Sequence, residues 1–235
     1  MKKESAKRTN LMIKAIIFDF DGTIADTIPA IREGVNATMR LRGYPEHSLE
    51  AIRSFINYGA RRLIQSSMPA HLREDDALVD AVLQDYNRCY GEVYHHTETA
   101  YDGVAELIAR LRGSYKIGVL SNKQDVFVKR LTAQVLREGT WDAAQGVIEG
   151  LPTKPDPYLS EKIAADLGVS PSECLMIGDS DIDLLTAQNA GMAHIGVTWG
   201  FRSEEFLRDR GVQCFAHTPA QLEALITAMG DSRNA

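Results

Sequence analysis

IIFDFDGTIADT, from Ile16 to Thr27, decides how this chain is read. An apolar run climbs to two carboxylates, Asp19 and Asp21, and breaks at Gly22. β-Branched and aromatic residues favour a buried strand, and the glycine lets the chain turn sharply where it emerges. Two acids at the end of such a strand are costly unless something compensates them, and a bound cation is the usual compensation. By itself the pair also fits a solvated acidic turn, so the rest of the chain must supply the case.

Working outward, Thr27 followed by Pro29 reads as a helix start, a hydroxyl N-cap with proline in the first turn. Asp26 is read only as a cap to the same helix. From there to about Thr99 the pattern is helical. Ile31, Val35, Thr38, Met39 and Arg42 predict one amphipathic helix ending at Gly43. Gly59 to Ser67 predicts another, and Leu72 to Tyr94 a long one with Leu78, Val82, Leu83 and Tyr86 on one face.

Beyond this block strands and helices alternate. Strands are predicted at Tyr115 to Leu120, Cys174 to Ile177, Ala193 to Val197 and Val212 to Ala216. Helices are predicted at Asp102 to Leu111, Val126 to Leu136, Pro157 to Leu167, Asp181 to Asn189 and Pro219 to Met229. Alternation of this kind implies an α/β fold, a doubly wound (Rossmann-like) parallel sheet. The all-helical block is then an inserted cap domain. The expected division is a catalytic core of 12–28 and 100–229, a cap of 29–99 and a disordered leader of 1–11. The polar, basic leader does not look like a signal peptide, and Met12 is a second candidate start.

Composition narrows the function classes. The 235 residues are 44% hydrophobic and 25% charged, ordinary for a globular protein. A net charge of -6 argues against nucleic acid as a partner. No apolar run approaches the ~18 residues of a membrane span. Cys89, Cys174 and Cys214 are odd in number and lack CxxC spacing, so they are read as reduced thiols of a cytoplasmic protein.

Ligands of an open parallel sheet bind at the carboxyl ends of its strands. The first strand ends at Asp19 and Asp21, the second in Ser121-Asn122-Lys123, and the third at Asp179 in GDSDID. Lys154 lies in the loop PTKPDP between the second and third. This set is chemically complete for phosphoryl transfer. Asp19 and Asp179 offer hard oxygen ligands for Mg²⁺. A carboxylate can act as nucleophile, and Asp21 can protonate a leaving alcohol and later activate water. Ser121 and backbone N–H groups, with Gly22 and Asn122 as candidates, can bind phosphate oxygens, and Lys154 can neutralise shared negative charge. Each piece has a plainer reading: Ser121-Asn122 as a helix cap, Lys154 as a loop lysine, GDSDID as an acidic helix start. His95-His96 invites a metal reading, but without a carboxylate partner pattern it reads as surface.

Taken in order, DxDGT at Asp19, LSN at Ser121, KPDP at Lys154 and GDSDID at Asp179 resemble the four motifs of the haloacid dehalogenase superfamily of hydrolases, over about Met12 to Met229. The resemblance implies Asp19 as nucleophile and Asp21 as acid/base with its backbone carbonyl on Mg²⁺. It implies Asp179 as metal ligand, Asp183 as a carboxylate behind the ligands, and Thr23 as a brace of the motif loop. Asp21 argues against the dehalogenases, which need no second acid. The absence of lysine between Lys14 and Lys116 argues against phosphonatase-type and β-phosphoglucomutase-like enzymes, which use a cap lysine.

Local strings, among them NYGARRLI, SNK, DLLTAQNAG, GVTWGFRS and HTPAQLEALI, resemble phosphoglycolate phosphatases. Arg61 and Arg62 are then candidates for the substrate carboxylate, because arginine offers a bidentate fork; exposed helix arginines are the alternative. The expected partner is a small phosphorylated substrate, with no nucleic acid and no membrane, in a monomer or homodimer. Pyrophosphatase, nucleotidase and sugar-phosphate phosphatase activities stay open. A receiver-like signalling domain would be about half this length and lack the helical block. An inactive regulatory protein fits poorly with intact Asp19, Asp21, Lys154 and Asp179.

Overall fold

The computed structural model describes residues 12–97 and 99–231. The expected leader and the His96 side chain lie outside the described residues, while His95 is exposed. Six parallel strands form one sheet in the order β3-β2-β1-β4-β5-β6. They are β1 (Ala15–Phe18), β2 (Lys116–Gln124), β3 (Ala143–Val147), β4 (Cys174–Gly178), β5 (Ala193–Val197) and β6 (Phe215–Ala216). β1 is nearly all apolar because both its faces are covered, as a parallel sheet requires. Ile16 and Phe18 join Ile117, Val119, Leu175 and Ile177 in one core. Ala15 and Ile17 join Leu120, Cys174 and Met176 in another. The two-residue alternation of a strand sorts neighbours to opposite faces.

Helices α1 (Ile28–Arg42), α2 (Leu49–Phe55), α3 (Ala60–Ser67) and α4 (Asp76–Thr97) all fall between β1 and β2. α1 lies along α4. Ile31, Val35 and Met39 face Val79, Val82, Tyr86 and Tyr90 in one buried cluster. The buried stripe of α4 thus differs from the predicted one: Val79 replaces Leu78 and Tyr90 extends it, while Leu78 and Leu83 are half-buried. The start of α1 differs too. Thr27 occupies the cap position without a side-chain bond, and Asp26 Oδ1 accepts from Ile28 N at 3.4 Å.

The remaining helices cover the sheet. α5 (Val104–Leu111), α6 (Asp125–Val135) and α10 (Pro219–Asp231) pack on the Ile16 and Phe18 face. α7 (Tyr158–Asp166) and α8 (Asp181–Ala190) pack on the other, and α9 (Glu204–Asp209) is a short outer helix. β3, α2 and α9 were not expected from the sequence. β6 is shorter than predicted, because Val212 packs against Leu207 and Leu184 ahead of the strand.

β1 lies between β2 and β4, so the chain winds outward from it in both directions. The crevice at this reversal, above the carboxyl ends of β1 and β4, is where such a sheet binds ligands.

Candidate active site

The floor of the crevice is set by strand register. Phe18 pairs with Val119 on one side and Ile177 on the other. Asp19, Ser121 and Asp179 therefore emerge along one edge. Asp19 N continues the ladder by donating to Ile177 O at 2.8 Å. Between Leu120 and Gln124 the pairing of β2 with β3 shifts register, which turns Ser121-Asn122-Lys123 out toward the crevice. Gly22 has φ +85°, and a side chain there would collide with the Asp179 carboxylate. Only glycine meets both demands. At the start of α8, Ser180 and Asp183 form a capping box, so helix geometry fixes the Asp183 carboxylate.

Lys154 is buried at the centre of this floor. Its ammonium donates to Asp19 Oδ1 at 2.9 Å, Asp183 Oδ1 at 2.7 Å and Leu120 O at 3.2 Å. Asp179 accepts from Thr23 Oγ1 at 3.2 Å and Phe201 N at 2.7 Å. Asp21 Oδ2 accepts from Ser121 Oγ at 3.3 Å, and Lys123 Nζ lies 2.9 Å from Asp21 Oδ1.

Burial dominates the electrostatics. Desolvation pushes the Asp19 carboxyl up to about 7, with Asp183 and Asp21 adding to it and Lys154 opposing. Burial, then the neighbouring Asp19 and Asp183, raises Asp179 well above the carboxylate range, against the Phe201 N–H and Thr23 hydroxyl. Burial works against the Lys154 ammonium, but Asp183 and Asp19 outweigh it and its pKa is raised. Carboxylate oxygens of Asp19, Asp179 and Asp183 lie within 4.8 Å of one another. Three buried acids meet one lysine. The cluster lacks positive charge and presents hard oxygen donors, so these residues could hold a metal ion.

The roof comes from the helical block. Ile31, Ile56, Leu63, Tyr86 and Tyr90 face the crevice, and Phe127 of α6 closes its side. Tyr90 meets Phe127 edge-on with centroids 5.0 Å apart. Asn57 Nδ2 and Asn87 Oδ1 are buried without a partner, and Asn57 holds φ 87°. Such an outlier points to a constrained loop at a site.

The structure brings Asp19, Asp21, Gly22, Thr23, Ser121, Lys154, Asp179 and Asp183 together. The Asn122 side chain holds the Lys154 loop, a task that does not involve its backbone N–H. Its amide donates to Lys154 O and Asn57 O at 2.9 and 3.1 Å, and its Oδ1 accepts from Lys154 N at 2.9 Å. Asn122 thus clamps the Lys154 loop and ties it to the roof. Arg61 and Arg62 are not brought to the crevice. Arg61 pairs with Asp76 and Asp80 on the outer surface, and Arg62 bonds Gln65. A helix face decides this: Ala60 and Leu63 take the inner side of α3 and leave the two arginines outside. Lys123 joins the crevice residues without a role expected from sequence, where its only signal is adjacency to Ser121.

Comparison with known proteins fits this geometry. Residues 16–197 match the family model of haloacid dehalogenase-like hydrolases. The chain belongs to that family. Among relatives of this hydrolase, a phosphoglycolate phosphatase of Rhodobacter capsulatus is 36% identical over 196 residues, covering 81% of this chain and 87% of that one. One of Psychrobacter arcticus is 29% identical over 203 residues, covering 82% and 86%. A crystal structure from Lactobacillus delbrueckii subsp. bulgaricus, provisionally assigned as a phosphoglycolate phosphatase, superposes with a TM-score of 0.84 at 29% identity, over 92% of this chain and 99% of that one. A haloacid dehalogenase-like hydrolase of Streptococcus pneumoniae shares the fold with a TM-score of 0.81 at 21% identity, over 91% and 98%.

Proposed function

We propose that this hydrolase is a Mg²⁺-dependent phosphatase that cleaves 2-phosphoglycolate. The observation that carries the reading is the Asp19–Lys154–Asp183 network beside Asp21 and Ser121, all at the crevice of the sheet. The relatives' activity and the coverage of both chains support the substrate.

Asp19 attacks phosphorus through a carboxylate oxygen, and the bond from phosphorus to the ester oxygen breaks. Asp21 gives that oxygen its proton, so the alcohol leaves and an aspartyl-phosphate remains. Asp21 then takes a proton from water, whose oxygen attacks phosphorus and frees Asp19 and phosphate. Lys154 opposes protonation of Asp19 and aims it. Ser121 holds a phosphoryl oxygen, whereas the expected Gly22 contact is not available, because its N–H is given to Ala25 O at 2.9 Å. Asp19, Asp179 and the Asp21 carbonyl would hold Mg²⁺, which supplies charge stabilisation to the phosphoryl group when bound. The helical block, 29–99, acts as a cap that admits substrate and excludes water. Among the described residues no helix is long and apolar enough to cross a membrane. A cytoplasmic setting suits the free thiols of Cys89, Cys174 and Cys214.

The test is phosphate release with Mg²⁺ across 2-phosphoglycolate, pyrophosphate, nucleoside monophosphates and sugar phosphates, with Asp19→Asn as blank. A kcat/KM for 2-phosphoglycolate about tenfold above the others, ~1.4 kcal/mol of preference, is expected. Another winner would keep the phosphatase and discard the substrate. Full activity in chelator would overturn the metal, and no release at all would point to a signalling or inactive relative.

A further inference from the structure

We infer that Lys123 reads the carboxylate of the substrate and sets the specificity of the site. This rests on the 2-phosphoglycolate reading above. A substrate with an anion at each end needs two separated cations. Among the described residues lining the crevice, the cations are Lys154 and Lys123.

Lys154 cannot serve both ends. An ammonium has three protons, and its three acceptors are Asp19, Asp183 and Leu120 O. It is committed to the nucleophile. Arg61 and Arg62 point to other partners on the outer surface.

Lys123 is placed differently. Its side chain is 7% exposed, at the seam where β2 leaves its ladder with β3. It bridges floor and roof, with Nζ 2.9 Å from Asp21 Oδ1, 2.5 Å from the Tyr90 hydroxyl, and 4.5 Å from the Tyr90 ring centre. Substrate connectivity makes this position telling. Asp21 must touch the ester oxygen to protonate it. In 2-phosphoglycolate the carboxylate carbon lies two bonds from that oxygen. The cation in contact with Asp21 is therefore within reach of the carboxylate. Exchanging the neutral phenol for a carboxylate also turns a hydrogen bond with one charged partner into an ion pair with two. The apolar roof around Tyr90 excludes water and strengthens the pairing.

The experiment compares kcat/KM for 2-phosphoglycolate and for n-propyl phosphate, whose chain ends in a neutral group. It uses the full-length enzyme and Lys123→Met. The parent is expected to prefer 2-phosphoglycolate, and the variant to lose about 10- to 100-fold of that ratio, the range of a hydrogen bond to a charged group. Lys123→Arg should retain more of the ratio than Lys123→Met. If both substrates slow by one common factor, Lys123 only positions Asp21 and the inference is overturned. If the parent shows no preference, the substrate reading itself fails and takes this one with it. Should Lys123→Met not fold, Lys123→Gln keeps a donor toward Tyr90 and Asp21 and poses the same ratio test.

Discussion

On the floor of the crevice, Asp19, Asp179, Asp183 and Lys154 are each held by hydrogen bonds from strand ends, a helix cap or one another. On the roof, Ile31, Leu63 and Tyr86 belong to a packed apolar cluster, and two buried amide atoms, on Asn57 and Asn87, have no partner. The floor is over-determined and the roof is under-determined. A group with two or three fixed neighbours cannot change without undoing the reaction. An apolar wall with unpaired polar atoms can be rebuilt for another substrate while the chemistry below stays intact.

Replacing Asp19, the proposed nucleophile, tests the floor most severely. Asp19→Asn should lower phosphate release at least about 10³-fold, the scale on which single members of a catalytic unit fail. Its thermal midpoint without metal should stay level or rise, because the substitution removes a buried carboxyl pushed up to about 7. A large fall in that midpoint would mean that Asp19 serves the fold as well.

Next in size is Lys154→Met, which strands Asp19 and Asp183 without their ammonium. Denaturant unfolding at pH 8 should show a loss of about 3–5 kcal/mol. The deficit should shrink toward pH 6, because the Asp19 carboxyl, pushed up to about 7, takes up a proton in the fold as pH falls and relieves the repulsion. A deficit that does not change with pH would point to packing rather than charge.

His194 of β5 sharpens the picture from beneath the floor. Burial pushes it down to about 4, with Lys154 also lowering it and Asp183 opposing. Below its ordinary value of 6.5 the unfolded chain gains a proton that the fold refuses. Stability is therefore lost as pH falls from about 6.5 to about 4. His194→Gln should flatten that acid limb by about 1–3 kcal/mol, read from unfolding midpoints at pH 7 and 4.5.

Asn87→Leu is the smallest change, made on the roof. Its Oδ1 gives up no bond, so stability should shift by less than about 1 kcal/mol, toward the stable side. Its signature is a changed KM for the preferred substrate at near-constant kcat. A fall in kcat matching that of a floor variant would erase the distinction between the two regions.

Much of the floor was legible in the sequence because strand ends and helix starts leave local marks. An apolar run closing in DFDGT, and a glycine-led GDSDID opening a helix, each announce where a carboxylate emerges. β3 was not legible, since AAQGV has a single β-branched residue and owes its strand to pairing with β2 and to α6 above it. α2 is only seven residues long, too short for periodicity to stand out. Arg61 and Arg62 were misjudged because adjacency in sequence does not say which side of a short helix faces inward. The Asn122 side-chain clamp on Lys154 was not legible because it spans 32 residues of chain.

By itself the sequence determined the alternation of strand and helix, the helical insertion after β1, and the strand ends at which Asp19 and Asp179 emerge, whereas Lys154 and Asp183 stood out only through resemblance to the family's motifs. The first three depend on local patterning, which the chain carries in every few residues. Only the tertiary structure decided that Lys154 lies between Asp19 and Asp183, and that the helical block turns tyrosines rather than arginines toward the crevice. Tertiary structure alone also set Lys123 between Asp21 and Tyr90. Each of these joins segments far apart in the chain, and their meeting follows from strand order and the burial of two opposed apolar faces rather than from any local signal.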